Sequence, residues 1–347
     1  MITRRSLVLG GLAAAGTAGL AACSAGQQPT STSTPTPTAS GSMLANGTLT
    51  VGLTYIPNVQ FSAFYLGVAQ GIFAKHGLDV TLRHHGQQED VFGAVLAREE
   101  HVVFASADEA MVAAANGQDL RTFATSYQTY PLEVMGGAGL GLSADEGLTV
   151  LAGRSLGIPG HFGSSYYAAL AAMHEAGLTE ADVKLMDIGY TQLSALAARQ
   201  VDFIMGFRNN ELVQLQAQGE PVISIPISDP ASPRLVGPSL VTVGTEVPDD
   251  VLAAVAAGMR EAQEAVIADP EAALDATAEQ VPALADPAQR ESAARVLEAT
   301  TGLWTRDGVV DVSLDVAAFG RMAEFLVEVG VIEQAPANPY IELADLA

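Results

Sequence analysis

The sequence predicts an α/β fold of two lobes, each a mainly parallel sheet flanked by helices, with two hinge crossings between them. Three observations predict it. From Thr48 onward, short runs rich in β-branched residues alternate with helical segments, and that order argues for a parallel sheet covered on both faces. The alternation stops at the run Gly136-Gly137-Ala138-Gly139-Leu140-Gly141 and then starts again. The stretch from Thr48 to Ala347 is also long enough for two cores at the usual ~100 to 200 residues each.

The chain begins with a segment of another kind. Arg4 and Arg5 precede an uncharged run from Leu7 to Ala22, and Cys23, the single cysteine, follows it. A positive start, an apolar stretch and small residues before a cut describe an export signal, and a cysteine at the cut is where a lipid would be attached. The run is shorter than the ~20 residues that cross a bilayer as a helix. Residues 1–22 are therefore expected to be a lipoprotein signal peptide, with Cys23 as the lipidation site and the protein held on the extracytoplasmic face of the cell membrane. Thr3-Arg4-Arg5 leaves both the twin-arginine and the general export route open. Residues 23–47 open with a Ser, Thr, Pro, Gly, Gln and Ala run that buries too little apolar surface to offset the entropy of ordering, so they read as a disordered tether.

Leu49 to Leu53 reads as a strand, Ala63 to Lys75 as a helix closed by Gly77, and Leu78 to Leu82 as the next strand. Val91 to Arg98 looks helical, Val102 to Ala105 is a short buried strand, Glu109 to Ala115 is a helix before Gly117, and Leu120 to Ser126 is a strand. The glycine run at Gly136 is too glycine-rich for a strand interior or a helix, and reads as a crossing between lobes. Beyond it, strands are expected at Ser155 to Ile158, Val183 to Ile188, Val201 to Met205 and Val222 to Ile227, with helices at Ser164 to Glu175, Gln192 to Arg199 and Leu212 to Gln218. A Pro and Gly cluster from Pro226 to Pro238 leads back, and Ser239 to Val243 rejoins the first lobe. Helices follow, from Val251 to Ile267 and on to about Thr300, and Leu314 to Val329 closes before Gly330. Residues 48–136 with 238–347 are thus expected to form lobe 1, and residues 137–237 lobe 2.

Composition bounds the partners. Acidic residues number 39 against 16 basic ones, a formal net charge of −23, and cleavage after Ala22 would remove Arg4 and Arg5 as well. Such a surface repels nucleic acid and anionic lipid, so no nucleic-acid partner is expected. It reads as a solvated acidic surface or as salt adaptation. With one cysteine no disulfide forms within the chain, and stability must come from core burial. His84 and His85, adjacent on a strand, face opposite sides and do not chelate one metal, while His76, His101, His161 and His174 show no ligand spacing. No metal, cofactor or catalytic residue is expected.

Sites in open α/β sheets lie beyond the carboxyl ends of the strands, and a cleft between lobes favours a small ligand. Three loops fit. Tyr55-Ile56-Pro57-Asn58-Val59-Gln60-Phe61-Ser62-Ala63-Phe64-Tyr65 concentrates aromatics and amides, which suit a flat conjugated ligand read by stacking and by hydrogen bonds at its edge. Phe61, Phe64 and Tyr65 equally suit the buried face of the first helix. Gly160-His161-Phe162-Gly163-Ser164-Ser165-Tyr166-Tyr167 precedes a helix, where free amides attract anions or carbonyl oxygens, although Ser164 or Ser165 also suits an N-cap. In Gly206-Phe207-Arg208-Asn209-Asn210-Glu211, Glu211 can accept from a heterocycle's amino group, or sit as a favourable charge in a first helical turn with Asn210 as cap.

These residues carry a resemblance. Tyr55-Ile56-Pro57-Asn58, Gly71-Ile72-Phe73 with Gly77-Leu78-Asp79-Val80, the Gly160 to Tyr166 loop, and Asp202 with Asn209-Asn210-Glu211 resemble the thiamine-pyrimidine-precursor and riboflavin-binding branch of type II solute-binding proteins, from Thr48 to about Val247. The resemblance implies a type II periplasmic binding protein fold and a lipid-anchored receptor of an ABC importer. Its partners would be a small-molecule ligand and the importer's permease and ATPase subunits, and the receptor itself would be a monomer. It implies Tyr55, Asn58, Gln60, Tyr65, Phe162, Ser164, Tyr166, Asn209 and Glu211 as cleft residues, with Glu211 holding an aminopyrimidine. His161 joins them as a hydrogen-bonding group of its loop. Pyrimidine-binding relatives have Trp-x-Pro-Asn followed by His, whereas this chain has Tyr55 and Phe61, nearer the flavin-binding pattern.

Two alternatives stay open. Sulfonate, nitrate and taurine receptors share the fold, but an anion wants an arginine, and Arg208 is the one offered by these loops. Fungal relatives make the thiamine pyrimidine from an active-site histidine and a lysine-bound pyridoxal phosphate, with a cysteine cluster for iron. Here Lys75 and Lys184 are the lysines, and Cys23 provides no cluster.

Overall fold

A computed structural model describes residues 47–86, 89–219 and 221–343. The expected signal peptide, Cys23 and the tether up to residue 46 lie outside the described residues. The first half of the described chain runs β1 (Thr48–Leu53), α1 (Ser62–Ala69), α2 (Ile72–Lys75), β2 (Asp79–His84), α3 (Gly93–Leu96), β3 (Val102–Ser106), α4 (Ala107–Ala115) and β4 (Leu120–Thr125). Next come β5 (Leu132–Gly137), β6 (Ser155–Ile158), α5 (Gly163–Glu175), β7 (Lys184–Asp187), α6 (Gln192–Ala197), β8 (Phe203–Phe207), α7 (Glu211–Ala217) and β9 (Val222–Pro226). The chain finishes with β10 (Pro238–Val243), α8 (Asp249–Ala268), α9 (Pro270–Gln280), α10 (Pro287–Thr301), the short strands β11 (Thr305–Arg306) and β12 (Val309–Val310), and α11 (Val316–Glu328).

These strands make two five-stranded sheets built to one plan. The first has the order β2-β1-β3-β10-β4 and the second β7-β6-β8-β5-β9. In the first, β1 pairs parallel with β2 and β3, and β10 alone runs against its neighbours β3 and β4. In the second, β6 pairs parallel with β7 and β8, and β5 alone runs against β8 and β9. Each reversed strand is the one whose chain has just arrived from the other sheet. The central strand β3, Val-Val-Phe-Ala-Ser, is buried along its whole length, as a strand covered on both faces must be.

One expectation is corrected. Gly136 and Gly137 do not cross between lobes; they finish β5, paired to both β8 and β9. The glycine is there because a Cβ on Gly136 would lie 2.5 Å from the ring of Phe203, so only a bare backbone fits beside it. The chain passes between sheets earlier, between Thr125 and Leu132, and returns between Pro226 and Pro238 as expected. The single helix expected from Ala63 to Lys75 is two helices, because Gly71 takes φ +67 and ends the first.

Each sheet has its own core. Phe64, Phe104, Phe123 and Trp304 are buried with α8, α9 and α10 on the first sheet. Leu156, Ile158, Phe203 and the alanine face of α5 form the second. The last helix α11 joins the second core through Phe319, Met322 and Phe325, whereas the chain beyond it returns to the first sheet, where Ile341 N–H donates to Thr122 O at 2.8 Å. Residues after Pro238 therefore serve both cores.

Candidate functional site

A cavity of about 300 Å³ opens between the carboxyl ends of the two sheets' parallel strands, at the lower end of the ~300 to 1,000 Å³ common for small-molecule sites. From the first sheet it takes the loop after β1 (Thr54, Tyr55, Asn58, Gln60, Phe61) and the end of β3 with the start of α4 (Phe104, Ser106, Glu109). From the second it takes Pro159, Phe162, Gly163 and Ser164 after β6, Tyr190 and Gln192 after β7, and Phe207, Asn210 and Glu211 after β8. Tyr55 and Tyr190 face each other with ring centroids 6.1 Å apart and planes tilted by 48°. Phe162 is 59% exposed, a large apolar ring left open to solvent at this cavity.

The loop after β1 is held by hydrogen bonds that explain its residue types. Asn58 Oδ1 accepts the Gln60 N–H at 3.0 Å and caps a single 3-10 turn, Val59–Phe61. Beneath it, Asn58 N–H donates to the Tyr65 hydroxyl, which lies 3.0 Å from His84 Nε2, while His84 Nδ1 lies 3.2 Å from the Tyr55 carbonyl. A carbonyl accepts only, so Nδ1 carries the proton and Nε2 accepts from the Tyr65 O–H. Burial holds His84 below the usual histidine range and so favours this neutral form. Phe61 packs edge-on to Phe104 at 6.0 Å.

On the other wall, Glu211 is placed by its own helix start. Its Oε2 accepts the Phe207 N–H at 2.8 Å, and Asn210 Nδ2 donates to Oε1 at 3.1 Å while Asn210 Oδ1 accepts from Gln214 Nε2 at 2.7 Å. Burial raises the Glu211 carboxyl above its ordinary range, and the Phe207 amide offsets part of that. Asp108, fully buried, accepts from Ser164 Oγ at 2.6 Å and from the Tyr130 hydroxyl at 2.8 Å. Burial pushes both Asp108 and its neighbour Glu109 up, and the Asp108 charge adds to the effect on Glu109.

The ten candidate ligand residues separate into two groups. Tyr55, Asn58, Gln60, Phe162, Ser164 and Glu211 meet at the cavity. Tyr65, His161, Tyr166 and Asn209 do not line it. Tyr65 is buried under the loop against His84. His161 pairs with Asp187 at 2.7 Å, and the Tyr166 hydroxyl donates to Glu180 at 2.8 Å, so that both turn away along the outside of α5. Asn209 is fully buried and donates to Thr300 Oγ1 at 2.9 Å, fastening the loop after β8 to α10. Ser164 is not an N-cap as the sequence allowed, because Phe162 occupies that position and the Ser164 hydroxyl is spent on Asp108.

Sequence reasoning missed Glu109 and Tyr190. Glu109 read as the first residue of a helix, and Tyr190 stood in a loop that drew no attention. The rule that exposed the other loops, polar or aromatic residues just beyond a strand's carboxyl end, applies to both.

The chain matches the NMT1/THI5-like family model over residues 58–273. It is 34% identical over 173 residues to the riboflavin-binding protein RibY of Chloroflexus aurantiacus, a stretch that is 49% of this chain and 48% of that protein, so the chain spans about half the length of this curated relative. Among solved structures, the periplasmic aliphatic sulphonate-binding protein SsuA of Escherichia coli superposes with a TM-score of 0.68 at 13% identity, covering 87% of this chain and 94% of that one. The desulfurization enzyme DSZB superposes with a TM-score of 0.53 at 14% identity, covering 84% and 96%. At these identities the structural likeness establishes the fold, that of periplasmic binding proteins.

Proposed function

The chain belongs to the NMT1/THI5-like family, and on that premise we propose that it is the substrate-binding protein of an ABC importer, capturing a planar heteroaromatic vitamin or precursor of the riboflavin or thiamine-pyrimidine kind. The observation that carries the reading is the pair Tyr55 and Tyr190, one ring from each sheet's loops, which meet with centroids 6.1 Å apart at the cavity lining, with Glu211 on its wall. Two aromatic faces suit a flat conjugated ring, and a carboxylate with lone pairs to spare accepts from the ring's N–H groups. The 34% identity to a riboflavin-binding relative favours the flavin.

Capture proceeds by hinge closure. Ligand touches loops of both sheets only when they stand together, and that differential affinity shifts the population. Moving a 1:99 ratio to 99:1 needs ~5.5 kcal/mol, more than two stacked rings at ~0.5 to 1.5 kcal/mol each provide, so charge-assisted bonds to Glu211 must contribute. The closed form is what a permease reads. Cys23 would anchor the receptor by lipid, and residues 48–131 with much of 238–347 would form one lobe.

A receptor is favoured over an enzyme because Lys75 pairs with Glu261 at 2.8 Å, away from the cavity, and Lys184 starts β7, so neither lysine lines it. The test is fluorescence and thermal-shift titration of the full chain with riboflavin, the thiamine aminopyrimidine and ethanesulfonate. Stabilisation by a ring compound, returned chemically unchanged, is expected. Stabilisation by the sulfonate alone, or turnover of the ligand, defeats the reading.

A further inference from the structure

Helix α5 is thirteen residues long, and its first amides would ordinarily offer a seat for an anion. In this cavity the seat is taken from within. The Glu109 carboxyl stands at this helix start, where the Ser164 and Ser106 backbone amides favour its charged form against the larger upward push of burial. A Cβ on Gly163 would lie 2.7 Å from Glu109 Oε1, and Gly163 also takes φ +67, so the position calls for glycine on two independent counts. The adjacent Asp108 takes the Ser164 hydroxyl as well. The start of α5 is therefore occupied by the carboxyls of α4. Across the cavity Glu211 adds a second carboxyl, and among the described residues lining the space none is lysine or arginine.

We propose that Glu109 is a specificity-determining residue, its carboxyl group filling the anion seat of α5 so that the cavity takes uncharged or cationic ring compounds bearing N–H or O–H donors and rejects sulfonates, phosphates and carboxylates. The inference rests on the cavity being the ligand site and narrows the class of ligand. Rejection is built as an obstacle rather than as a missing contact. An anionic head group must displace the Glu109 carboxyl from the start of α5 and meets the buried Asp108 carboxyl beside it. A donor group meets the opposite situation, because Glu109 and Glu211 place carboxyl groups among the lining residues.

Calorimetric titration of the full chain and of Glu109→Ala and Glu109→Gln, with ethanesulfonate, inorganic phosphate and riboflavin as probes, tests this. Circular dichroism verifies that each variant is folded. The wild type is expected to bind neither anion. Glu109→Ala should gain at least about tenfold in affinity for ethanesulfonate or phosphate, with Glu109→Gln, which keeps nearly the same shape at the start of α5, gaining less. Anion binding by the wild type overturns the proposal, and so does failure of both folded variants to gain any. Should Glu109→Ala not fold, Glu109→Gln decides alone, and no gain there counts against it. The riboflavin arm is separate: a chain that ignores riboflavin while its variants gain anions loses the vitamin reading and keeps the role of Glu109, whereas riboflavin binding without anion gain does the reverse.

Discussion

Helices α4 and α5 each begin beyond the carboxyl end of a parallel strand, α4 directly after β3 and α5 after the short loop that follows β6, yet their first turns are chemically opposite. The start of α4 turns the carboxyls of Asp108 and Glu109 toward α5; the start of α5 is Gly163-Ser164-Ser165, with hydroxyls and amides that can donate. They meet at a seam where the Ser164 hydroxyl donates to Asp108 and Glu109 lies against Gly163. Asymmetry of this kind lets two halves built to one plan recognise each other instead of pairing like with like, and it spends the helix dipole of α5 on the protein's own carboxyls.

The comparison can be broken hardest at Gly163. Gly163→Val forces a β-branched residue into φ +67 and into Glu109, and should cost at least about 1 to 3 kcal/mol in urea unfolding as well as displacing the Glu109 carboxyl. Unchanged stability would mean that the seam does not exist. A smaller effect is expected at Glu211, where Glu211→Ala should weaken ring-compound binding by about tenfold or more at the titration midpoint, on the scale of one lost charge-assisted hydrogen bond. Tyr166→Ala, whose hydroxyl faces Glu180, should leave affinity alone, and equal losses at the two positions would undo the division of the site into cavity and outer residues.

The seam also predicts a pH slope. Asp108 and Glu109 have folded pKa values above their unfolded ones, so their protonated forms are favoured by folding; stability falls as pH rises from the ordinary carboxylate range, ~4, through the raised values. Asp108→Asn should flatten that fall, seen as a smaller drop in melting temperature between acidic and alkaline buffer. The smallest effect belongs to Tyr166→Phe, expected within about 0.5 kcal/mol of wild type on unfolding, as for surface changes generally.

Element type was legible wherever β-branched runs and glycine stops coincide, which is why both sheets and the return through Pro226 to Pro238 could be read. Gly136 was misread because its reason is tertiary: the glycine answers to Phe203, far away in sequence, and a lone strand shows no sign of that ring. Within the site, residues preceding a helix were readable, since Tyr55, Asn58 and Gln60 have no core face to occupy. Tyr65 and Asn209 were not, because a polar side chain buried to hold a loop and one that greets a ligand look alike in sequence. Their partners, His84 and Thr300, lie on other elements. Glu109 shows the converse: a carboxyl in a first helical turn is so ordinary that its second role, visible only when α5 is brought to it, leaves no trace in the string.

Helix α11 has a consequence for how the molecule is made. Phe319, Met322 and Phe325 complete the second core, but they leave the ribosome long after most of the residues they join there. At ~5 to 20 residues per second, the middle of the chain waits for seconds with an apolar flank uncovered, a window in which a chaperone or an aggregating neighbour competes for it. A nonsense mutation just before Val316 would make that wait permanent, removing the α11 side chains from the second core and the Ile341 contact from the first sheet.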